Sequence, residues 1–146
     1  MSKEVIKRAG EIIAKNCVNG QTYNNQNCVL ALIDLEGYPT MSVITPSRSD
    51  GIKWITFCTV IAGDNKSERL AKCKKASVCF GTSEYNISLV GEIEVLTDPK
   101  VKEEMWYTGL EGHFPKGASD PNYCVLKFTT KRYNLLVDWK PAAGKL

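Results

Sequence analysis

One histidine, His113, occurs in 146 residues, and no two cysteines stand at C-x-x-C spacing. Those shortages remove the usual ligand sets of zinc sites and the common thiol-redox motif. The six cysteines, Cys17, Cys28, Cys58, Cys73, Cys79 and Cys124, read as buried reduced thiols rather than as disulfides. His113 sits in a Gly- and Pro-rich stretch, with no cysteine standing out as its nucleophilic partner. No convincing acid–base pair appears either, so no catalytic residue is assigned. No apolar run approaches the roughly 20 residues needed to cross a bilayer. The opening segment, MSKEVIKRAGEIIAKN, is charged throughout and lacks the apolar centre of a signal peptide, so a cytoplasmic location is expected. The Asn86-Ile87-Ser88 glycosylation pattern is discounted for the same reason. No G-x-G-x-x-G follows a strand pattern, which weighs against a dinucleotide-binding domain. Strong charge of one sign is missing too: a net charge of +3 is too mild to argue for nucleic acid or an anionic membrane. Arg69, Lys72, Lys74 and Lys75 form a local basic run, which reads as a solvated helix face.

What is present is an ordinary globular composition, 43% apolar and 24% charged, in a length that suits one domain spanning residues 1–146. Residues 3–17 place Val5, Ala9, Ile12 and Ile13 on one helical stripe, with Ser2 as N-cap and Asn19-Gly20 as the stop. This N-terminal helix, within residues 1–20, is expected to pack on the rest of the domain. The run CVLALIDL at 28–35 reads as a strand buried on both faces. Glu36-Gly37 turns it into a second strand, 38–45, as a hairpin. Residues 47–51 read as a polar turn, and 54–59 as a third strand. Strands follow at 76–81 and 86–96; in the latter Ile87, Leu89, Ile93 and Val95 alternate with Ser88, Glu92 and Glu94. Gly91 in its middle points to a bulge or bend. Asp98-Pro99 starts a helix carrying Val101, Met105 and Trp106. A Gly/Pro-rich loop and two final strands, 123–129 and 133–139, complete the chain.

The stretch WITFCTVIAGDNKSERLAKC, residues 54–73, carries the clearest functional signal. A strand ends at Thr59, passes a short loop with Gly63 and opens a helix at Asp64, Asn65 and Lys66. A helix start exposes unpaired N–H groups and the positive end of its dipole. With a hydroxyl and a lysine beside it, such a start suits a phosphate; with Asp64 as N-cap it is equally a capped surface helix. Short connections make the strands antiparallel, and the helices occupy the longer crossings. The expected class is mainly β: an antiparallel barrel, closed or partly split, of six or more strands with peripheral helices.

The ordered pieces resemble the pyridoxamine 5'-phosphate oxidase-like split-barrel flavoproteins, and within them the general stress protein 26 branch. Glu36-Gly37-Tyr38-Pro39 looks like that family's hairpin turn before its flavin strand. Phe57-Cys58-Thr59 followed by Lys66 looks like its F-x-T strand end and phosphate lysine. Val90-Gly91-Glu92-Ile93-Glu94-Val95 with Asp98-Pro99 resembles the branch's V-x-G-x-A-E-V…D segment. Met105-Trp106, Phe114-Pro115-Lys116-Gly117 and Asp120-Pro121 resemble its helix ending in W and its F-P-x-G…D-P loop, and Trp139 matches a tryptophan closing the last strand. The likeness runs over residues 29–139. Two positions depart from the pattern. Ser42 stands where the branch often has arginine, which removes a bidentate phosphate partner. Asp64 stands where many members have the serine of S-x-K, and a carboxylate in that seat repels phosphate unless it turns onto backbone N–H groups. Arg48 is the candidate replacement for the missing charge, against a plain reading as a turn arginine in solvent.

The resemblance implies a homodimer with FMN in clefts between the subunits. It implies Thr59 and Lys66 on the phosphate, with Asn65 assisting, and Ser42, Val43 and Ile44 along the isoalloxazine. Phe57 belongs to the motif, and Trp106, Phe114 and Trp139 are candidates to cover the ring or ribityl chain from the partner; their plain reading is aromatic core or dimer interface. Redox chemistry would be the flavin's own. The implied activity is that of an FMN-dependent oxidoreductase on an unidentified small molecule. The alternatives are a non-catalytic flavin-binding or stress-related protein, and the same barrel holding a deazaflavin or haem, against which the lone histidine counts. No evident match for the basic substrate-phosphate residues of pyridoxamine phosphate oxidation appears in residues 141–146.

Overall fold

A computed structural model describes residues 2–19 and 26–146. Its strands are β1 (Cys28–Ile33), β2 (Pro39–Ile44), β3 (Pro46–Asp50), β4 (Trp54–Val60), β5 (Lys75–Gly81), β6 (Tyr85–Leu96), β7 (Tyr123–Val137) and β8 (Lys140–Lys145). Its α-helices are α1 (Ser2–Asn16), α2 (Lys66–Lys72) and α3 (Pro99–Met105). Every pairing is antiparallel. The order is β2-β1-β5-β6-β7-β4-β3, with β8 added on β7. None of the described helices is long and apolar enough to cross a membrane.

The two ends of that order are joined by a single residue, Thr45, between β2 and β3. Strands at opposite ends of a sheet can be that close along the chain only if the sheet curls round. Here one bent strand passes from β1, on which β2 pairs, to β4, on which β3 pairs. The last β3–β4 pair is Pro46 with Phe57. Proline has no N–H to donate, so the ladder has a chemical reason to stop there. Beyond it, among the described residues, no strand lies between residues 58–60 of β4 and the end of β2. The barrel is split at that point.

The interior is filled by Leu30, Ile55, Phe57, Phe80, Ile87, Leu89, Ile93, Leu126 and Phe128, all at most 2% exposed. The apolar stripe of α1 (Val5, Ala9, Ile12, Ile13) closes onto the same core. A Cβ on Gly10 would stand 2.9 Å from Gly51 Cα, so only glycine lets the helix come this near. A second cluster, with Cys58, Tyr107, Leu110, Phe114, Tyr123 and Val125, lies between β4, β7 and the segment after α3. Strand β4 is therefore buried on both faces. Gly91 faces Thr130 across a register shift in which Lys131 of β7 is the extra residue, giving the expected bulge. Asp98 and Pro99 do start α3 as cap and first residue.

Several expectations need correction. Residues 46–50 form a strand and not a turn, because Ser47 buries its hydroxyl against Thr56 Oγ1 at 2.6 Å. The two final strands are one 15-residue strand, β7, and the eighth strand is β8, on the outer side of it. Strand β1 alternates buried with half-buried residues; it is not buried equally on both faces. Ser2 lies within α1, so it is not its N-cap. Asn19 is left-handed and caps the helix end with its Nδ2 on Ala14 O at 3.0 Å. Gly20, the other half of that stop, lies outside the described residues.

Candidate functional site

The split opens a cleft of about 500 Å³. One wall is the end of β2 and the bend after it, Val43, Ile44 and Thr45. The opposite wall is the free end of β4, Cys58, Thr59 and Val60. The segment following α3 closes the third side with Tyr107, Leu110, His113 and Phe114. Strand β2 is exposed along almost its whole length, Met41 at 75% and Val43 at 71%, so this edge of the cleft is open.

The third wall is fixed by a buried polar and aromatic knot. Phe114 packs on Tyr123 with centroids 5.1 Å apart, and Trp106 meets Tyr123 edge-on at 5.4 Å. The Tyr123 hydroxyl donates to Lys102 O at 2.8 Å, while Lys102 Nζ donates to Asp120 O at 2.9 Å. These bonds tie α3 to the loop before β7 and give a buried lysine a partner. Cys58, whose thiol donates to Met105 O at 3.4 Å, is pushed up from the ordinary thiol range by burial. That holds it as a protonated wall residue and not as a nucleophile.

At the far end, Thr59 stands opposite Cys124 in the β4–β7 register. Burial raises the Cys124 thiol to about 11, and the nearby charge of Lys66 acts against that rise. Lys66, the half-buried first residue of α2, is not among the residues that line the cleft. The lead-in to α2 differs from the expected capped helix. Asp64 and Asn65 are both left-handed (φ 56° and 53°), and Asn65, not Asp64, occupies the N-cap, without a side-chain cap bond. The Asp64 carboxylate pairs instead with Arg69. Arg69 is 4% exposed, so it does not belong to a solvated basic face. Lys72 of the same run donates to Leu35 O at 2.7 Å.

Of the residues singled out from sequence, Val43, Ile44, Thr59 and Phe114 line this one cleft. Ser42 is on β2 opposite Leu30, exposed, and outside the lining. Phe57 is fully buried in the barrel core, where it supports β4. Asn65 is exposed. Trp106 packs in the aromatic knot and does not reach the lining. Trp139 is 77% exposed at the β7–β8 turn, the end of β7 away from Thr59. Arg48 gives its Nη2 to Glu104 O at 2.7 Å and braces the end of α3, so it is not a free turn arginine, and it lies outside the cleft lining. Tyr107, Leu110 and His113 were missed, since a Gly/Pro-rich loop carries no periodicity to show which side chains turn inward.

An antiparallel barrel split beside a bent strand, with a half-open cleft in the split, defines a split-barrel protein. Over residues 15–140 the chain matches the family model described as pyridoxamine 5'-phosphate oxidase like, and it belongs to that family. It is similar to a solved protein of Clostridium acetobutylicum related to general stress protein 26 of B. subtilis, of the pyridoxinephosphate oxidase family. The two are 25% identical with a TM-score of 0.82, over 100% of this chain and 97% of that one. A pyridoxamine 5'-phosphate oxidase-related, FMN binding protein of Nostoc punctiforme shares the fold at 12% identity and a TM-score of 0.57, over 82% of this chain and 87% of that one. A heme binding protein of Mycobacterium smegmatis does so at 14% identity and a TM-score of 0.62, over 91% of this chain and 56% of that one. No curated protein matches the chain.

Proposed function

We propose that the cleft binds FMN and that the protein is a flavin-dependent oxidoreductase acting on a small molecule. The observation that carries this reading is the convergence of Val43, Ile44, Thr59 and Phe114 on one cleft. The volume lies within the roughly 300–1,000 Å³ of small-molecule sites. Its lining suits a ligand with two unlike ends. Val43, Ile44, Leu110 and Phe114 offer apolar contact to a planar ring, while the Thr59 hydroxyl offers a donor to a phosphate; the Lys66 ammonium, at the start of α2 and outside the lining, would supply the charge. A bound flavin supplies hydride and electron transfer; the chain's part is to hold it and shield one face.

The exposed apolar side chains on and beside β2, together with Trp139, support a homodimer in which a second copy covers the open side. Trp139 is too far along β7 to serve the cleft of its own chain, so its role there is as an anchor offered to a partner.

The absorbance spectrum of freshly purified protein, with any released cofactor identified, tests the reading. Flavin bands that vanish on extraction of FMN support it; a colourless protein that takes up no added FMN overturns it. Oxidation of a reduced nicotinamide with added acceptors then separates an enzyme from a flavin carrier without turnover. A second reading keeps the cleft and changes the ligand. His113 lines the cleft and offers an imidazole to a haem iron, and a Soret band lost in His113→Ala would establish it.

A further inference from the structure

Arg69 joins three segments: the end of β1, the start of β2 and the loop before α2. It is 4% exposed, and a buried guanidinium is costly unless its donors are met. Nε donates to Ile33 O at 3.2 Å and Nη2 to Leu32 O at 3.2 Å, both at the end of β1. Nη2 also donates to Thr40 Oγ1 on β2. Nη1 reaches the carboxylate of Asp64 and, at 3.4 Å, its carbonyl. The β2 strand whose end lines the cleft and the loop that delivers Lys66 are thus held by one side chain. Lys72 adds a second tie, from α2 to Leu35.

The loop needs such a hold. Asp64 and Asn65 both lie in the left-handed region, which costs non-glycine residues energy and persists only where the surroundings enforce it. The ion pair with Arg69 anchors the first of these two residues. It also commits a carboxylate that would otherwise stand two residues from Lys66 with its charge unanswered.

We infer that Arg69 is a positioning residue for the anion-binding end of the cleft. It clamps the residue 63–66 loop to β2 and takes up the Asp64 carboxylate, so that an anionic ligand group meets Lys66 and Thr59 without a competing negative charge. The identity of the anion as the FMN phosphate rests on the function proposed above; the clamp does not.

The test compares FMN with riboflavin, which lacks the phosphate, by calorimetric titration of the full chain. Arg69→Met is expected to weaken FMN at least about tenfold more than riboflavin, because the clamp and the charge pairing are both lost. Arg69→Met combined with Asp64→Asn is expected to recover part of that ratio, since the unpaired carboxylate is gone while the clamp is still missing. Equal losses for the two flavins, or no recovery in the double variant, overturn the assignment. Should Arg69→Met not fold, Arg69→Lys keeps the charge but cannot span the three segments; the FMN-to-riboflavin ratio should still fall at least about threefold, and an unchanged ratio overturns the assignment. Wild-type protein that takes up neither flavin overturns the FMN reading alone. Amide exchange of residues 64–66 in the apo-protein then decides the clamp: at least about tenfold faster exchange in Arg69→Lys supports it, and unchanged exchange overturns it.

Discussion

Val43 and Thr59 line the same cleft although their strands stand near opposite ends of the sheet's pairing order. Curling of the sheet brings them together, and the loss of the ladder after Pro46 keeps them apart. The space between them is therefore a product of the topology, while the charge proposed for it comes from Lys66 at the start of α2.

That division makes Lys66→Ala selective. A charge-assisted hydrogen bond contributes about 1.5–3 kcal/mol, so FMN should bind roughly 10- to 150-fold more weakly, with riboflavin changed little. Titration calorimetry with both flavins checks this. Equal losses would show that Lys66 does not hold the phosphate.

Trp139 separates folding from association. Asp138 and Trp139 are both left-handed (φ 52° and 64°), the backbone of a two-residue hairpin turn that prefers glycine in its second place. Trp139→Gly should leave the unfolding midpoint unchanged or stabilise the fold by up to about 1 kcal/mol. If Trp139 is a partner's anchor, the same change weakens self-association at least about tenfold. Sedimentation equilibrium and urea unfolding on one sample give both numbers. Unaltered association removes Trp139 from the interface.

The buried thiols make the fold sensitive to alkali. Burial raises Cys17 and Cys124 to about 11, and pushes Cys28 and Cys58 up as well. In the unfolded chain the same groups ionise near about 8.5. Between that pH and about 11 the unfolded chain sheds protons that the folded chain of Cys17 and Cys124 retains. Stability is thus full below about pH 8.5 and falls as pH rises, by roughly 1.4 kcal/mol per pH unit for each such thiol. Urea midpoints measured from pH 8 upward should show the slope, and Cys124→Ala should make it shallower.

Gly91 tolerates no side chain. A Cβ there would lie 2.0 Å from Thr129 O, a backbone atom with no rotamer to escape into. Gly91→Ala should cost about 3 kcal/mol or more by forcing the bulge apart. Denaturant unfolding reads the loss; a change below about 1 kcal/mol would mean that β7 can shift at Lys131.

Much of this architecture can be read from the chain because burial imposes a period. Residues 86–96 alternate as β6 does, and Gly91 marks its bulge. What escapes is burial by polar residues. Ser47 and Arg69 look like solvent-facing residues, yet both are inside because specific partners, Thr56 in one case and four groups in the other, replace water. Strand β8, with Pro141 and Gly144, has turn-like composition and survives only as an addition to β7. In the cleft, strand-borne Val43, Ile44 and Thr59 were legible by position; Tyr107 and His113 were not, since loop side chains follow the path of the backbone and not a repeat.

Pro46 has one more effect. Where the ladder stops, the outward edge of residues 58–60 has no strand to bond with among the described residues, and the end of β2 lines the same opening. A ligand seated in that gap is met by main-chain amides and carbonyls as well as by side chains. Those groups are common to every sequence that keeps the bend. Recognition written in the peptide backbone outlasts substitution of the side chains around it.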